Sequence, residues 1–527
     1  MYGIANLLVK NARFFPERMA VADVNAELTY RELNEHVNKI ANYFQETGLT
    51  KGHRVGFVCD NCIQFAELWL ATQKIGVVAV FLNFRATRAE LSRDVRRSHC
   101  EALFYSPKWK DIISRRDLVG SDVKHLISFG DGSIDGHIGL EYIYENVPAD
   151  EPEVEISETD WSTILFTSGS TGLSKGVVRT HRMIFEYAMQ MAAEHEFYKT
   201  DRVSILSHSP LFHTGGLSML MKALALCGSY VGINGIEADT IGSLIEKYSI
   251  TQLFFVPPVN IMRLAASETF GKYDTSSVNF IWATGGKLSL EYVLAMIELF
   301  PGVRIKTSYG GTEFCAACSI SFRMTADEVR ADPGFLESAG YIGQFVDVRL
   351  VDDEGRDVAP GEMGEVWVKA PFVMLEYLDS PEDTAEAFEN GWYKTGDVFS
   401  MDEKGLMYFS DRKSAMIKTG GENVYPNEVE SVLRKYPHIV DCAVVAQPDP
   451  KWTEAVAAAI VPDSPDIDLL DVIEFAKNNL AGYRKPQYYC VVEDLPRTAS
   501  AKIDRRALLD KSKYTFRNLK SITEGNQ

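Results

Sequence analysis

The residues best equipped for chemistry in this chain of 527 residues form one run, Thr167-Ser168-Gly169-Ser170-Thr171-Gly172-Leu173-Ser174-Lys175-Gly176. Hydroxyls, glycines and a lysine follow the stretch Ser162-Thr163-Ile164-Leu165-Phe166. A strand that opens into such a loop offers backbone N–H groups and hydroxyls with no bulky side chain in the way, a surface suited to phosphate oxygens. The run differs from the P-loop of nucleoside triphosphatases, because Ser174 and Gly176 flank Lys175 where that loop carries glycine and Ser or Thr. More polar clusters punctuate apolar segments further along. His208-Ser209-Pro210-Leu211-Phe212-His213 precedes Gly215-Gly216, and Thr284-Gly285-Gly286 follows Phe280-Ile281-Trp282. Then come Tyr309-Gly310-Gly311-Thr312-Glu313, Tyr393-Lys394-Thr395-Gly396-Asp397 and Asp411-Arg412-Lys413. Gly420-Gly421-Glu422-Asn423 and Pro496-Arg497-Thr498-Ala499-Ser500-Ala501-Lys502 complete the series.

The elements that must position these clusters alternate between helix and strand. An amphipathic helix is predicted over 30–46, with Thr29 as N-cap and Glu32 as its capping-box partner. Strand 54–59, helix 63–75 and strand 77–82 follow, and the same rhythm recurs between 203 and 256. Such alternation implies parallel sheets covered by helices, in which ligands gather at the carboxyl ends of strands. From about residue 342 short strands separated by Asp/Gly/Pro turns predict an antiparallel subdomain. After Arg412 a small α/β unit begins. The expected class is therefore α/β, with a domain boundary at 411–415.

Composition narrows the function. The length exceeds what one core supports, so at least two domains are expected. A net charge of -19 argues against nucleic acid or an anionic membrane as main partner, although a local pocket can still hold ATP. No apolar run is long enough to span a bilayer and no signal-type segment follows Met1, so the expected location is cytoplasmic. The pairs Cys59/Cys62 and Cys315/Cys318 lack an accompanying His pattern and read as reduced, packed thiols rather than a zinc site.

Taken in order, these clusters resemble the acyl-adenylate-forming superfamily, and within it most closely the acyl-CoA synthetases. The resemblance covers nearly the whole chain. It implies a large N-terminal ATP- and acyl-binding domain over 1–411, made of helix-covered sheets plus an antiparallel β subdomain. A hinge at 412–415 and a small mobile α/β domain over 416–527 would follow. It implies ATP, Mg2+ and coenzyme A, a small carboxylic acid as substrate, and a homodimer as a candidate assembly. Thr167, Ser168, Gly169, Ser170, Thr171, Gly172 and Lys175 would grip the β- and γ-phosphates, with Glu313 and Thr167 on the metal and Thr312 beside them. Tyr309 and Gly310, with the backbone of Gly285, Gly286 and Lys287, would hold adenine; Asp397 and Arg412 would hold ribose. Lys502 would bridge carboxylate and phosphate in the first half-reaction. Gly420, Gly421 and Glu422 would wall the pantetheine tunnel in the second, with His213 as a gate to the acyl pocket. The reaction makes chemical sense: a carboxylate is a poor acyl donor, and attack of its oxygen on the α-phosphorus makes that oxygen part of AMP, a good leaving group.

Two positions depart from the family pattern. Ser414 and Ala415 stand where the hinge usually carries polar residues, which predicts altered populations of the two domain states, and Ala501 replaces a common glycine. The main rival function is a stand-alone adenylation enzyme that loads a carrier-protein phosphopantetheine. Amino-acid-activating relatives place an aspartate after the His213 region, whereas Thr214-Gly215-Gly216-Leu217-Ser218-Met219-Leu220 carries no acid, so an unsubstituted, mostly apolar acid is expected. Met219, Trp282, Gly310, Gly311 and the 315–318 segment are expected to border its pocket. Luciferase-type oxidation shares the first half-reaction, and a catalytically inert adenylate-binding protein is disfavoured by the joint presence of Lys175, Glu313, Asp397, Arg412 and Lys502.

Overall fold

The computed structural model describes residues 3–109, 118–129, 138–167, 174–193, 202–419, 422–464, 467–480, 482–497 and 503–524. The chain divides into two compact units. The first holds Met1–Val348, Val368–Tyr393 and Gly405–Met407; the second holds Arg349–Trp367, Lys394–Lys404 and Tyr408–Gln527.

Local signals account for many elements of the first unit. The helix Tyr30–Glu46 starts at the expected capping box: the Glu32 N–H donates to the Thr29 hydroxyl, and the Thr29 N–H donates to the Glu32 carboxylate at 2.8 Å. It turns Leu33, Val37, Ile40, Ala41 and Phe44 into the core. The helix Ile63–Ile75 is buried on almost every side and stops at Gly76, whose φ of 69° suits glycine.

Among the described residues the first unit contains a nine-stranded and an eight-stranded sheet. In the first sheet, parallel strands run Met19–Ala22, Ser229–Gly232, Ser204–Ser207, Gln252–Phe255, Phe280–Ala283 and Arg304–Gly311. Cys315–Phe322 and Tyr341–Ile342 then extend one edge antiparallel. In the second sheet a parallel series includes Arg54–Val58, Val78–Phe81 and Trp161–Thr167. Lys175–Thr180 and Glu376–Tyr377 extend its edge antiparallel. The alternating pattern thus gives the parallel centres, while two of the polar clusters sit where each sheet ends in a hairpin. A parallel neighbour requires a long crossover, whereas a hairpin returns at once. Both ends of a hairpin loop are therefore held by one ladder.

Short strands after residue 342 form a five-stranded sheet, with Phe388–Glu389 antiparallel to Trp392–Met401. In the second unit a six-stranded sheet centres on the long antiparallel pair Ile439–Asp449 and Thr453–Pro462. Ile417, Val424, Val429, Leu433, Val444, Ile460 and Val472 share its core with the helices Pro426–Leu433 and Leu469–Asn479.

Candidate active site

The phosphate-loop candidates rise from the edge hairpin of the eight-stranded sheet. Thr167 ends one strand and Lys175 begins the next, directly opposite in the ladder. Ser168, Gly169, Ser170, Thr171 and Gly172 lie outside the described residues. The returning stem is fastened from the helix Arg88–Arg97. The Ser174 hydroxyl donates to both Asp94 oxygens, at 2.8 and 2.9 Å, and Arg97 Nη1 donates to the Ser174 carbonyl at 2.7 Å. Burial pushes the Asp94 carboxyl up, opposed by Ser174 and Arg93. Lys175 Nζ pairs with Asp383 Oδ1 at 2.7 Å and stands 4.9 Å from the centre of the Tyr377 ring.

Glu313 lies in the hairpin between the strands Arg304–Gly311 and Cys315–Phe322 of the other sheet. Gly310 is required in that hairpin, since a Cβ there would stand 1.9 Å from the Cys315 carbonyl oxygen. Glu313 Oε1 accepts a hydrogen bond from the Tyr377 hydroxyl at 3.0 Å, and the Glu313 carbonyl accepts one from the Met374 N–H at 2.7 Å. The neighbouring Thr312 carbonyl accepts from the guanidinium of Arg179, a residue only 2% exposed. Tyr309 packs against Phe314 with ring centres 5.4 Å apart. Burial and the Glu313 charge together raise the Tyr377 and Tyr393 phenols far above their ordinary value. Tyr377, Arg179 and Asp383 had no local sequence signal; only the edge pairing of Glu376–Tyr377 with Val177 and Val178 reveals them.

The Gly285–Gly286 turn leaves the strand Phe280–Ala283, with φ of 79° at Gly285. Its preceding Thr284 hydroxyl donates to the Ser308 carbonyl at 2.6 Å, which ties the turn beside Tyr309 and Gly310. The Lys287 ammonium pairs with Glu337 at 2.6 Å, so its backbone rather than its side chain is available beside the turn. Trp282 is buried, donates to Ser308 Oγ at 3.0 Å and meets Phe254 edge-on. Met219, Cys315 and Cys318 are buried as well. His213 caps the helix Thr214–Ala225, with its ring 4.2 Å from that of Phe212. Gly216 fits there because a Cβ would approach the Pro210 carbonyl oxygen to 2.2 Å. His208 is a second imidazole in the segment, pushed down to about 4 by burial.

The remaining candidates belong to the second unit. Asp397 is 5% exposed and pairs through Oδ1 with Arg412 Nε at 3.0 Å. Its position follows from Gly396 at φ 70° and from the Thr395 hydroxyl, which donates to the Val366 carbonyl and accepts from the Asp397 N–H. Ser414 lies in the 3-10 turn Lys413–Ala415. Lys413 beside it pairs with Asp353 at 2.9 Å and Glu365 at 3.1 Å. Glu422 begins the strand Glu422–Val424 and stands opposite Thr419. Gly420, Gly421 and Lys502 lie outside the described residues. The bridge Arg497–Ile503 spans the segment that carries Lys502.

For a metal, the hard oxygens of Glu313 and Thr167 match magnesium, which is held by one or two carboxylates together with substrate phosphates. No cluster of three or more His, Cys, Asp or Glu suited to a metal occurs among the described residues, so phosphate oxygens and water would complete the coordination.

The fold and the ordered clusters define an ATP-dependent acid-activating ligase. Residues 8–378 match the AMP-binding enzyme family and residues 428–502 match the AMP-binding enzyme C-terminal domain. The chain belongs to the AMP-binding enzyme family. It is 31% identical over 503 residues to the feruloyl-CoA synthase of an Amycolatopsis species, covering 95% of this chain and 97% of that one. It is 30% identical over 523 residues to the long-chain-fatty-acid–CoA ligase FadD13 of Mycobacterium tuberculosis, covering 98% and 99%. Among solved structures, the o-succinylbenzoate CoA synthetase of Bacillus subtilis in complex with ATP and magnesium matches at a TM-score of 0.81 and 26% identity, covering 96% and 99%. These findings bear out the α/β class and the resemblance drawn from the ordered clusters. No helix among the described residues is long and apolar enough to cross a membrane.

Proposed function

We infer that the chain is an AMP-forming acid–CoA ligase acting on an apolar carboxylic acid. The observation that carries this reading is the Tyr377 bridge. It joins Lys175, at the phosphate-loop stem, to Glu313, at the end of the other hairpin. A lysine for the leaving phosphates and a carboxylate for their counter-ion thus share one support.

In the first half-reaction a carboxylate oxygen attacks the α-phosphorus, the bond to the bridging oxygen breaks, and pyrophosphate departs. Lys175 and the loop after Thr167 hold the departing phosphates, while Lys502 offsets the repulsion between carboxylate and nucleotide. Magnesium held by Glu313 and Thr167 would supply further neutralisation of the triphosphate charge. Gly285, Gly286, Lys287, Tyr309 and Gly310 frame adenine, Thr312 stands beside the metal carboxylate, and Asp397 and Arg412 bind ribose. In the second half-reaction the CoA sulfur attacks the adenylate carbonyl and AMP leaves. Gly420, Gly421 and Glu422 line the thiol's approach, His213 stands at the acyl end, and residues 412–415 with Ser414 form the hinge. The acid-free helix face around Met219 and the aromatic pair Phe254 and Trp282 favour an apolar acyl group.

The test is acid-dependent consumption of CoA and ATP across short, medium-chain, aromatic and long-chain acids. AMP and pyrophosphate release matched to thioester formation is expected. Release only in the presence of a phosphopantetheinylated carrier protein would favour the carrier-loading reading instead.

A further inference from the structure

Lys175 is not waiting in open solvent. Its ammonium lies 2.7 Å from Asp383 Oδ1, and the other oxygen of that carboxylate accepts the Ser380 hydroxyl at 2.6 Å. Asp383 belongs to the helix Pro381–Ala387, which follows the edge strand Glu376–Tyr377. That strand is itself fastened to the phosphate hairpin. The Leu378 N–H donates to the Gly176 carbonyl at 2.7 Å, the Leu375 N–H donates to the Val178 carbonyl at 2.9 Å, and the Tyr377 N–H donates to the Thr384 hydroxyl at 3.0 Å. The carboxylate is therefore presented to Lys175 by a rigid tether. The Lys175 and Ser380 contacts, helped by the charge of Arg97, hold Asp383 below the usual carboxylate range, so it is ionised at neutral pH.

Resting on the reading of Lys175 as the phosphate lysine, we propose that Asp383 is an internal stand-in for the nucleotide's phosphates: it occupies Lys175 in the empty enzyme, yields it on ATP binding, and so sets nucleotide affinity. The side chains of Lys175 and Asp383 are 27% and 36% exposed, a regime in which an ion pair is weak and readily exchanged. A triphosphate carries more charge and more acceptor oxygens than one carboxylate, so the lysine gains by changing partner. The Tyr377 ring remains beside the ammonium throughout, which keeps the lysine aimed while its counter-ion changes.

The experiment measures binding of ATP, and separately of inorganic pyrophosphate, to the full chain by calorimetry at two salt concentrations. Removing a competitor of the strength of an exposed pair, as in Asp383→Asn, should tighten both ligands about threefold at low salt, less at high salt. Unchanged or weakened binding in a folded Asp383→Asn protein would overturn the proposal, since a carboxylate that merely positions Lys175 predicts weakening. Lys175→Met should weaken both ligands, and Asp383→Asn should then have no effect in that background. If Lys175→Met leaves binding unchanged, the phosphate-lysine reading fails as well. Failure confined to Asp383→Asn leaves it standing. Should Asp383→Asn not fold, Ser380→Ala removes the hydroxyl that orients the carboxylate and should tighten binding in the same direction; no tightening there counts against the proposal.

Discussion

The Tyr377 hydroxyl donates to Glu313 Oε1 at 3.0 Å while the face of the same ring lies 4.9 Å from Lys175 Nζ. One phenol therefore contacts both the candidate metal carboxylate and the candidate phosphate lysine, although 64 residues separate it from the first. Replacing Tyr377 with Phe keeps the ring and deletes the donor. A hydrogen bond to a charged group is worth about 1.5 kcal/mol or more. Acid-dependent pyrophosphate exchange should thus fall roughly tenfold. The melting temperature should stay close to that of the parent, and an unchanged exchange rate would remove the orienting role.

Lys502→Ala separates the two half-reactions. Adenylate formation should be abolished, while thioester formation from supplied acyl-adenylate and CoA continues near the parent rate. Equal loss of both steps would contradict the assignment of Lys502 to the first step alone.

The hinge is tested by Ser414→Asp, which places an acidic side chain within the 3-10 turn Lys413–Ala415. The ratio of adenylation to thioesterification rates should shift. Identical ratios in variant and parent would show that residue 414 does not bias the two domain states.

Acid should weaken the first unit through two imidazoles, His181, which is buried, and His208, which is partly buried. His181 and His208 are each pushed down to about 4, chiefly by burial. Lys51 adds to the shift at His181 against the pull of Asp160, and Arg85 and Arg263 add to it at His208. Because the folded values lie below the unfolded value of 6.5, the unfolded chain binds more protons between these limits. Stability is therefore full above pH 6.5 and declines as pH falls toward 4, by about 3 kcal/mol per group at the lower end. His181→Asn should flatten the fall in melting temperature between pH 7 and pH 5; an unaltered profile would show that His181 does not contribute.

What the sequence made legible follows from where each signal resides. The helix Tyr30–Glu46 and its capping box are written in adjacent residues, so local pattern suffices. The glycines at 285, 310 and 396 likewise announce turns, and the structure gives steric or dihedral reasons for them. The partners of the chemical groups are another matter. Lys175 meets Asp383 across 208 residues, and Tyr377 sits in a strand of two residues with no periodicity to read. Nothing in its neighbours sets Arg179 apart from an ordinary strand residue, yet its guanidinium is buried on the Thr312 carbonyl. These relations arise only when edge strands of distant origin pair, and no spacing rule encodes them.

That Arg179 contact has a mechanical consequence. It fastens the edge of one sheet to the turn that carries Glu313 on the other, using a backbone carbonyl that no substitution at Thr312 can remove. The strand that begins at Lys175 and the turn that carries Glu313 are therefore linked by a short connection within a single unit. On the proposed reading, a triphosphate held by Lys175 would be coupled through Arg179 to Glu313, much as a key lifts its own pin.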